Sequence, residues 1–229
     1  MEHDGLMASP AQLVQTVSSA TGVPLATIVD IDRKLATAKL RSKGGRGFNA
    51  ARMTPLDAAR LLVAVLGSPQ ANTAAEAVRR YSLTAADKDR SSENLFCAAR
   101  IDDLAALPPR HSFVEAVAAL IASTATGSLA GMVSAAEGPT IEVFAFARAT
   151  RGRIRIAGLP NGVTASVEYV PAVSGAKVVP SKKIGRQRKA PIDNGTGDLE
   201  QSRRITKQTI LLIARLLARD EQHEPNDRI

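Results

Sequence analysis

The chain has 229 residues, 45% of them hydrophobic and 3% aromatic, with no Trp and a formal charge of +8 at neutral pH. That is enough apolar matter for a folded core of Ala, Leu, Val and Ile, which excludes a wholly disordered basic tail. Scarce rings argue against single-strand or RNA binding by base stacking, and a lone Cys97 excludes both an internal disulfide and a cysteine-rich zinc site.

Ser9-Pro10 opens the first predicted helix, a capping hydroxyl followed by proline at the first helical position. Leu13, Val14 and Val17 form its apolar stripe, and Thr21-Gly22 stops it. Val23-Pro24 opens a second helix with Ile28, Ile31 and Leu35 at helical spacing; Asp30, Arg33, Lys34 and Thr37 lie on its other face. A basic, glycine-rich stretch follows, Leu40-Arg41-Ser42-Lys43-Gly44-Gly45-Arg46-Gly47-Phe48-Asn49-Ala50. From Arg33 to Arg60 there are eight Lys/Arg and one acid, Asp57. Such cations neutralise phosphates and release counterions, and the glycines let the backbone approach closely. Thr54-Pro55-Leu56-Asp57 then caps a third helix, whose buried face is Leu61, Leu62, Val65 and Leu66 and which ends at Gly67-Ser68-Pro69.

Two short helices, a basic loop able to form a small hairpin, and a closing helix with a Thr-Pro-x-Asp cap resemble the winged helix-turn-helix heads of MerR- and excisionase-type DNA-binding proteins. The resemblance covers residues 9–68. It implies a second helix in the major groove, with Thr27, Asp30, Arg33, Lys34 and Thr37 as candidates for base or phosphate contact. Lys39, Arg41, Lys43, Arg46, Asn49 and Arg52 then hold the backbone or enter the adjacent minor groove. The plain alternative is a solvated basic loop between two ordinary helices. A nucleotide-binding phosphate loop at Gly44-Gly45-Arg46-Gly47 is disfavoured, because the Lys-Ser/Thr ending and a preceding strand are both missing.

Residues 70–107 read as helical, with Ala74, Ala77, Val78 and Tyr81 on one face, interrupted by a polar loop from Asp87 to Asn94. Cys97, between Phe96 and Ala98, reads as a small buried hydrophobe. Pro108-Pro109 is a break, and a helix from Ser112 to Thr124 presents Phe113, Val117, Leu120 and Ile121. Gly127 to Gly138 reads as a loop.

From Thr140 the period changes to two. Ile141, Val143 and Ala145 alternate with Glu142, Phe144 and Phe146, a strand expected to be covered on both faces. Ile154 and Ile156 alternate with Arg153 and Arg155 on a second strand, and after the Pro160-Asn161-Gly162 turn Val163 to Val170 gives a third. Arg151, Arg153 and Arg155 then fall on the wet side of a three-stranded antiparallel meander, the alternative being a basic β-ribbon face. Val173 to Gly197 has linker composition; its cations Lys182, Lys183, Arg186, Arg188 and Lys189 form either a second phosphate-gripping arm or a solubilising tract. Leu199 to Arg219 is an amphipathic helix with Ile205, Thr209, Leu212, Ile213, Leu216 and Leu217 on one side, free either to pair with a second copy or to dock on its own meander.

The expected molecule is therefore α+β, with four parts. They are a winged helix-turn-helix at 9–68, a body of central helix plus three-stranded antiparallel meander at 70–172, a basic linker at 173–198 and a C-terminal amphipathic helix at 199–220. The expected function is sequence-specific binding of double-stranded DNA by a transcription regulator, a homodimer of bacterial, phage or mobile-element origin. The alternative is a packaging or nucleoid component that touches DNA without reading it. Catalysis has little to stand on: His3, His111 and His223 are scattered, and neither a metal-ligand spacing nor a nucleophile motif is present, so no cofactor or metal is expected. Met1 to Pro10 lacks a signal pattern, and no apolar run reaches the about 18 residues of a membrane span, so the cytoplasm is the expected compartment.

Overall fold

Three helices begin with reciprocal capping boxes, which fix where the helical layer starts. Ser9 and Gln12 cap α1 (Pro10–Thr21), Thr54 and Asp57 cap α3 (Pro55–Gly67), and Ser112 and Glu115 cap α6 (Phe113–Ala125). Between and around them lie α2 (Leu25–Thr37), α4 (Ala74–Ser82, entered through a 3-10 turn at Ala71–Thr73), α5 (Asp102–Ala105), α7 (Ala130–Ser134) and α8 (Lys207–Glu221). The computed structural model describes residues 8–42, 51–68, 70–87, 96, 99–134, 138–146, 150–172 and 202–221.

The strands β1 (Thr84–Ala86), β2 (Thr140–Phe146), β3 (Arg151–Ala157), β4 (Ala165–Pro171) and β5 (Ser202–Thr206) form one antiparallel sheet in the order β1-β4-β3-β2-β5. The molecule is thus α+β. Its sheet has five strands rather than three. β2, β3 and β4 pair in sequence order at the centre, with β1 and β5 added at the edges.

The inward residues of the sheet, Ile141, Val143, Ala145, Ile154, Ile156, Val167 and Tyr169, are buried with the helices in one apolar core. α3 runs through that core: from Asp57 to Gly67 every residue but Arg60 is buried, because α4 and α6 pack against it and α8 touches it. Two glycines permit close approaches to the core's rings. A Cβ on Gly152 would overlap the Phe113 ring, and one on Gly67 would overlap Tyr81. Both tyrosines of the chain join this cluster, with ring centroids 5.4 Å apart for Tyr81–Phe113 and 5.5 Å for Phe113–Tyr169. Below them, Pro108 O accepts a hydrogen bond from His111 Nδ1 at 2.8 Å, and Nε2 lies 2.9 Å from the Tyr169 hydroxyl. Burial pushes the Tyr169 hydroxyl far above its ordinary range.

Several elements differ from the sequence expectation, each for a tertiary reason. Thr84–Ala86 lies in a stretch expected to be helical but forms β1, since it finds a partner in Tyr169–Pro171. Ser202–Thr206, expected to lie within the first turns of a C-terminal helix starting at Leu199, is β5, paired with Glu142–Phe146. A short helix, α7, occupies part of the expected 127–138 loop. Only the inward face of β2 is fully buried. Its outward residues Glu142, Phe144 and Phe146 remain half-buried, so the strand is not covered on both sides. The C-terminal helix docks on its own chain, with Thr209, Ile210, Leu211, Ile213, Ala214 and Leu217 buried against α1, α6 and α3. The linker at 173–198, most of the Asp87–Asn94 loop and Cys97 lie outside the described residues.

Candidate nucleic-acid interface

α1 and α2 are joined by three residues, Gly22-Val23-Pro24. Gly22 sits in the left-handed region (φ 72°) and donates its N–H to Ser18 O, closing α1. The Ser18 hydroxyl donates to Val23 O at 2.8 Å, and Pro24 O accepts from Thr27 N and Ile28 N to start α2. The turn is short, bonded throughout, and fixes the direction of α2 relative to α1.

α2 buries Ile28, Ile31 and Leu35 and turns its opposite side outward. Leu25 is 43% exposed and Val29 50%, in line with exposed Ala26, Arg33 and Thr37. Large apolar side chains this open on an otherwise packed helix are unexplained by the fold. Arg33 pairs with Asp30 at 2.7 Å, and the Thr37 hydroxyl donates to Arg33 O. The helix stops at Lys39, in the left-handed conformation (φ 59°). Lys39 N donates to Ala36 O, and Leu40 N donates to Leu35 O at 2.9 Å. This is a Schellman closure with lysine where glycine is usual.

The two ends of the basic loop converge on one carboxylate. Asp57 Oδ1 accepts from Ser42 N at 2.8 Å; Oδ2 accepts from Thr54 N at 3.0 Å and from the Thr54 hydroxyl at 2.8 Å. Burial pushes the Asp57 carboxyl up, but the hydrogen bonds from Ser42 and Thr54 outweigh it and leave the pKa below the ordinary value. Arg60 donates to Leu40 O at 3.2 Å, and Met53 N donates to Ala8 O at 3.0 Å. Next to this clasp Arg41 meets Asp32 at 2.9 Å, both largely shielded from solvent. Burial, only partly offset by Arg41 and reinforced by the Asp57 charge, raises the Asp32 carboxyl.

The residues singled out in the sequence therefore separate into groups. Arg33, Thr37 and Lys39 share the outward side of α2 and its end, with Lys34 half-buried at the margin. Thr27 belongs elsewhere. It lines a cavity of about 550 Å³ between the α1–α2 turn, the end of α3 and β5, together with Pro24, Ile31 and Thr209. Arg41 is turned to Asp32, and Arg52 is exposed at the far foot of the loop. Lys43, Arg46, Asn49 and the cluster Lys182, Lys183, Arg186, Arg188 and Lys189 lie outside the described residues. Leu25, Ala26 and Val29 share this exposed surface but were not legible as candidates in the sequence: the spacing of Ile28, Ile31 and Leu35 sets them off the buried stripe, yet they carry no charge to mark them.

The chain matches no protein-family model, no curated protein and no solved structure. Its site is therefore read from its own geometry. Among the described residues, no three His, Cys, Asp or Glu gather where they could hold a metal ion, and no helix is long and apolar enough to cross a membrane.

Proposed function

We propose that this chain is a sequence-reading, double-stranded DNA-binding protein, a transcription regulator of a bacterium, phage or mobile element, that lays the outward side of α2 in the major groove. The observation that carries the reading is the α1–α2 pair. A three-residue, glycine-bearing turn holds α2 against α1, α3 and α4, while Leu25, Ala26, Val29, Arg33 and Thr37 face solvent. A helix-turn-helix reads bases with the N-terminal part of its second helix, where apolar side chains meet thymine methyls and Arg meets guanine. Lys39 and Arg52, with Lys43, Arg46 and Asn49 between them in the sequence, supply phosphate contacts.

In this reading two copies occupy two half-sites about one helical turn apart. With α8 docked on its own chain, the pairing surface lies elsewhere. Light scattering with and without operator DNA decides whether the pair exists in solution or forms on the duplex.

The test is enrichment of genomic fragments by the full chain at physiological salt. The expected result is a short motif that Arg33→Ala relaxes at one position, at a cost of about 1–3 kcal/mol. Binding without enrichment gives the architectural role. There is an observation on that side: Asp30 and Asp32 already pair Arg33 and Arg41. Failure to bind duplex at all removes both.

A further inference from the structure

The face of the sheet turned away from the helices carries an arrangement that the α2 reading does not use. β2 places Phe144 and Phe146 there, and the paired register sets Arg153 beside Phe144, Arg151 beside Phe146, and Arg204 of β5 on the other side of Phe144. The two rings are nearly parallel, with centroids 6.5 Å apart and planes 17° apart. The guanidinium of Arg151 lies 5.1 Å from the Phe146 centroid and that of Arg153 5.9 Å. Glu142 bridges Arg155 at 3.1 Å and Arg204 at 2.8 Å, and Glu168 holds Arg153 at 2.9 Å. Among the described residues, four guanidiniums thus share the face with Glu142 and Glu168, and the β1–β4 register sets a third carboxylate, Asp87, opposite Glu168.

The chain has five Phe and two Tyr. Phe96, Phe113, Tyr81 and Tyr169 are buried. The pair on this face is therefore a local concentration of rings in a protein that has few. Water is a poor neighbour for a ring, and the other outward positions of β2 and β4 include Thr140, Glu142, Ser166 and Glu168.

We propose that this open face binds single-stranded nucleic acid, bases stacking on Phe144, Phe146 and the guanidinium planes of Arg151 and Arg153, and phosphates meeting Arg155 and Arg204. A flat sheet with rings at its centre and cations around them suits unstacked bases, whose faces a duplex keeps hidden. The charge excess selects a polyanion, and the rings select one with π-faces. This surface is separate from α2 and is tested independently of it.

The chain contains no Trp, so Phe146→Trp installs a single fluorophore on the face. An oligothymidylate of about twenty nucleotides is expected to quench it saturably, while inorganic polyphosphate of matching charge does not. In the unmodified ring background, Phe144→Leu with Phe146→Leu keeps apolar volume and removes the π-faces. It is expected to weaken oligothymidylate binding, read by fluorescence anisotropy, by about tenfold or more with an unchanged circular-dichroism spectrum. Leu25→Ser with Val29→Ser on α2 is expected to leave that binding intact. Equal affinity of the double-Leu variant, or absence of quenching in the Trp variant, overturns the proposal. So does equal quenching by polyglutamate, which would assign the face to acidic polypeptides.

Discussion

Asp57 does at one position what a loop of this length otherwise needs several residues to do. Its carboxylate caps α3 and at the same time receives Ser42 N, so both feet of the basic loop are held by one side chain. Asp57→Ala is expected to lower stability by about 2 kcal/mol in urea unfolding, the upper range for a helix cap, because it also frees Ser42 N. Its folded carboxyl titrates below the ordinary value of 3.8, so the unfolded chain binds more protons in acid. This contribution is full above that value and is lost as pH falls through the folded pKa. Asp32 runs oppositely, its raised carboxyl gaining a proton more readily when folded. The acid limb of the stability curve should accordingly be shallower in Asp57→Asn than in the parent. Lys39 separates stability from binding. Glycine relieves the left-handed strain at its φ of 59°, so Lys39→Gly should raise the melting temperature, by about 1 kcal/mol or less in stability. The same variant should weaken duplex binding if the ammonium meets phosphate. Gain in stability with unchanged affinity would remove Lys39 from the interface.

At the scale of elements, legibility followed local chemistry. Ser9-Pro10, Thr54-Pro55-Leu56-Asp57 and Ser112 with Glu115 announce α1, α3 and α6 because a cap is written within four residues. β2, β3 and β4 were legible from their alternation. β1 and β5 were not: three and five residues long, they exist because a neighbouring edge stands open, and that edge is far away in the chain. Arg203 shows the same limit. It looks like one more surface cation, yet its Nη1 donates to Val65 O at 2.8 Å and Ser68 O at 2.6 Å, closing the C-terminus of α3. Arg203→Met, which keeps the stem and removes the donors, should cost about 1–2 kcal/mol in thermal unfolding. A cost near zero would mean that solvent replaces those bonds freely. The candidate site was legible in its cations but not in their partners. Asp32 and Arg41 meet only because the chain turns back after α2.

For the whole molecule, the N-terminal helices and the body share one core, since α3 supplies buried side chains to both. A fragment of residues 1–68 would expose Leu61, Leu62, Val63 and Leu66 on the sides that α4, α6 and α8 now cover. We expect that fragment to be collapsed and dye-binding, with a narrow amide spectrum. A well-dispersed spectrum would show instead that residues 1–68 fold alone.

α1 leans on α8, and the Thr209 hydroxyl reaches Ala20 O at 3.4 Å across 189 residues of chain. The turn that aims α2 is thus braced by residues that leave the ribosome long after it does. A nascent chain that has emerged only as far as β4 has both helices of the pair but lacks the brace beneath them, and β2 still offers a bare edge. The α1–α2 pair is held in its final place only once β5 and α8 have arrived. Translation itself thereby sets the moment at which α2 is fully braced.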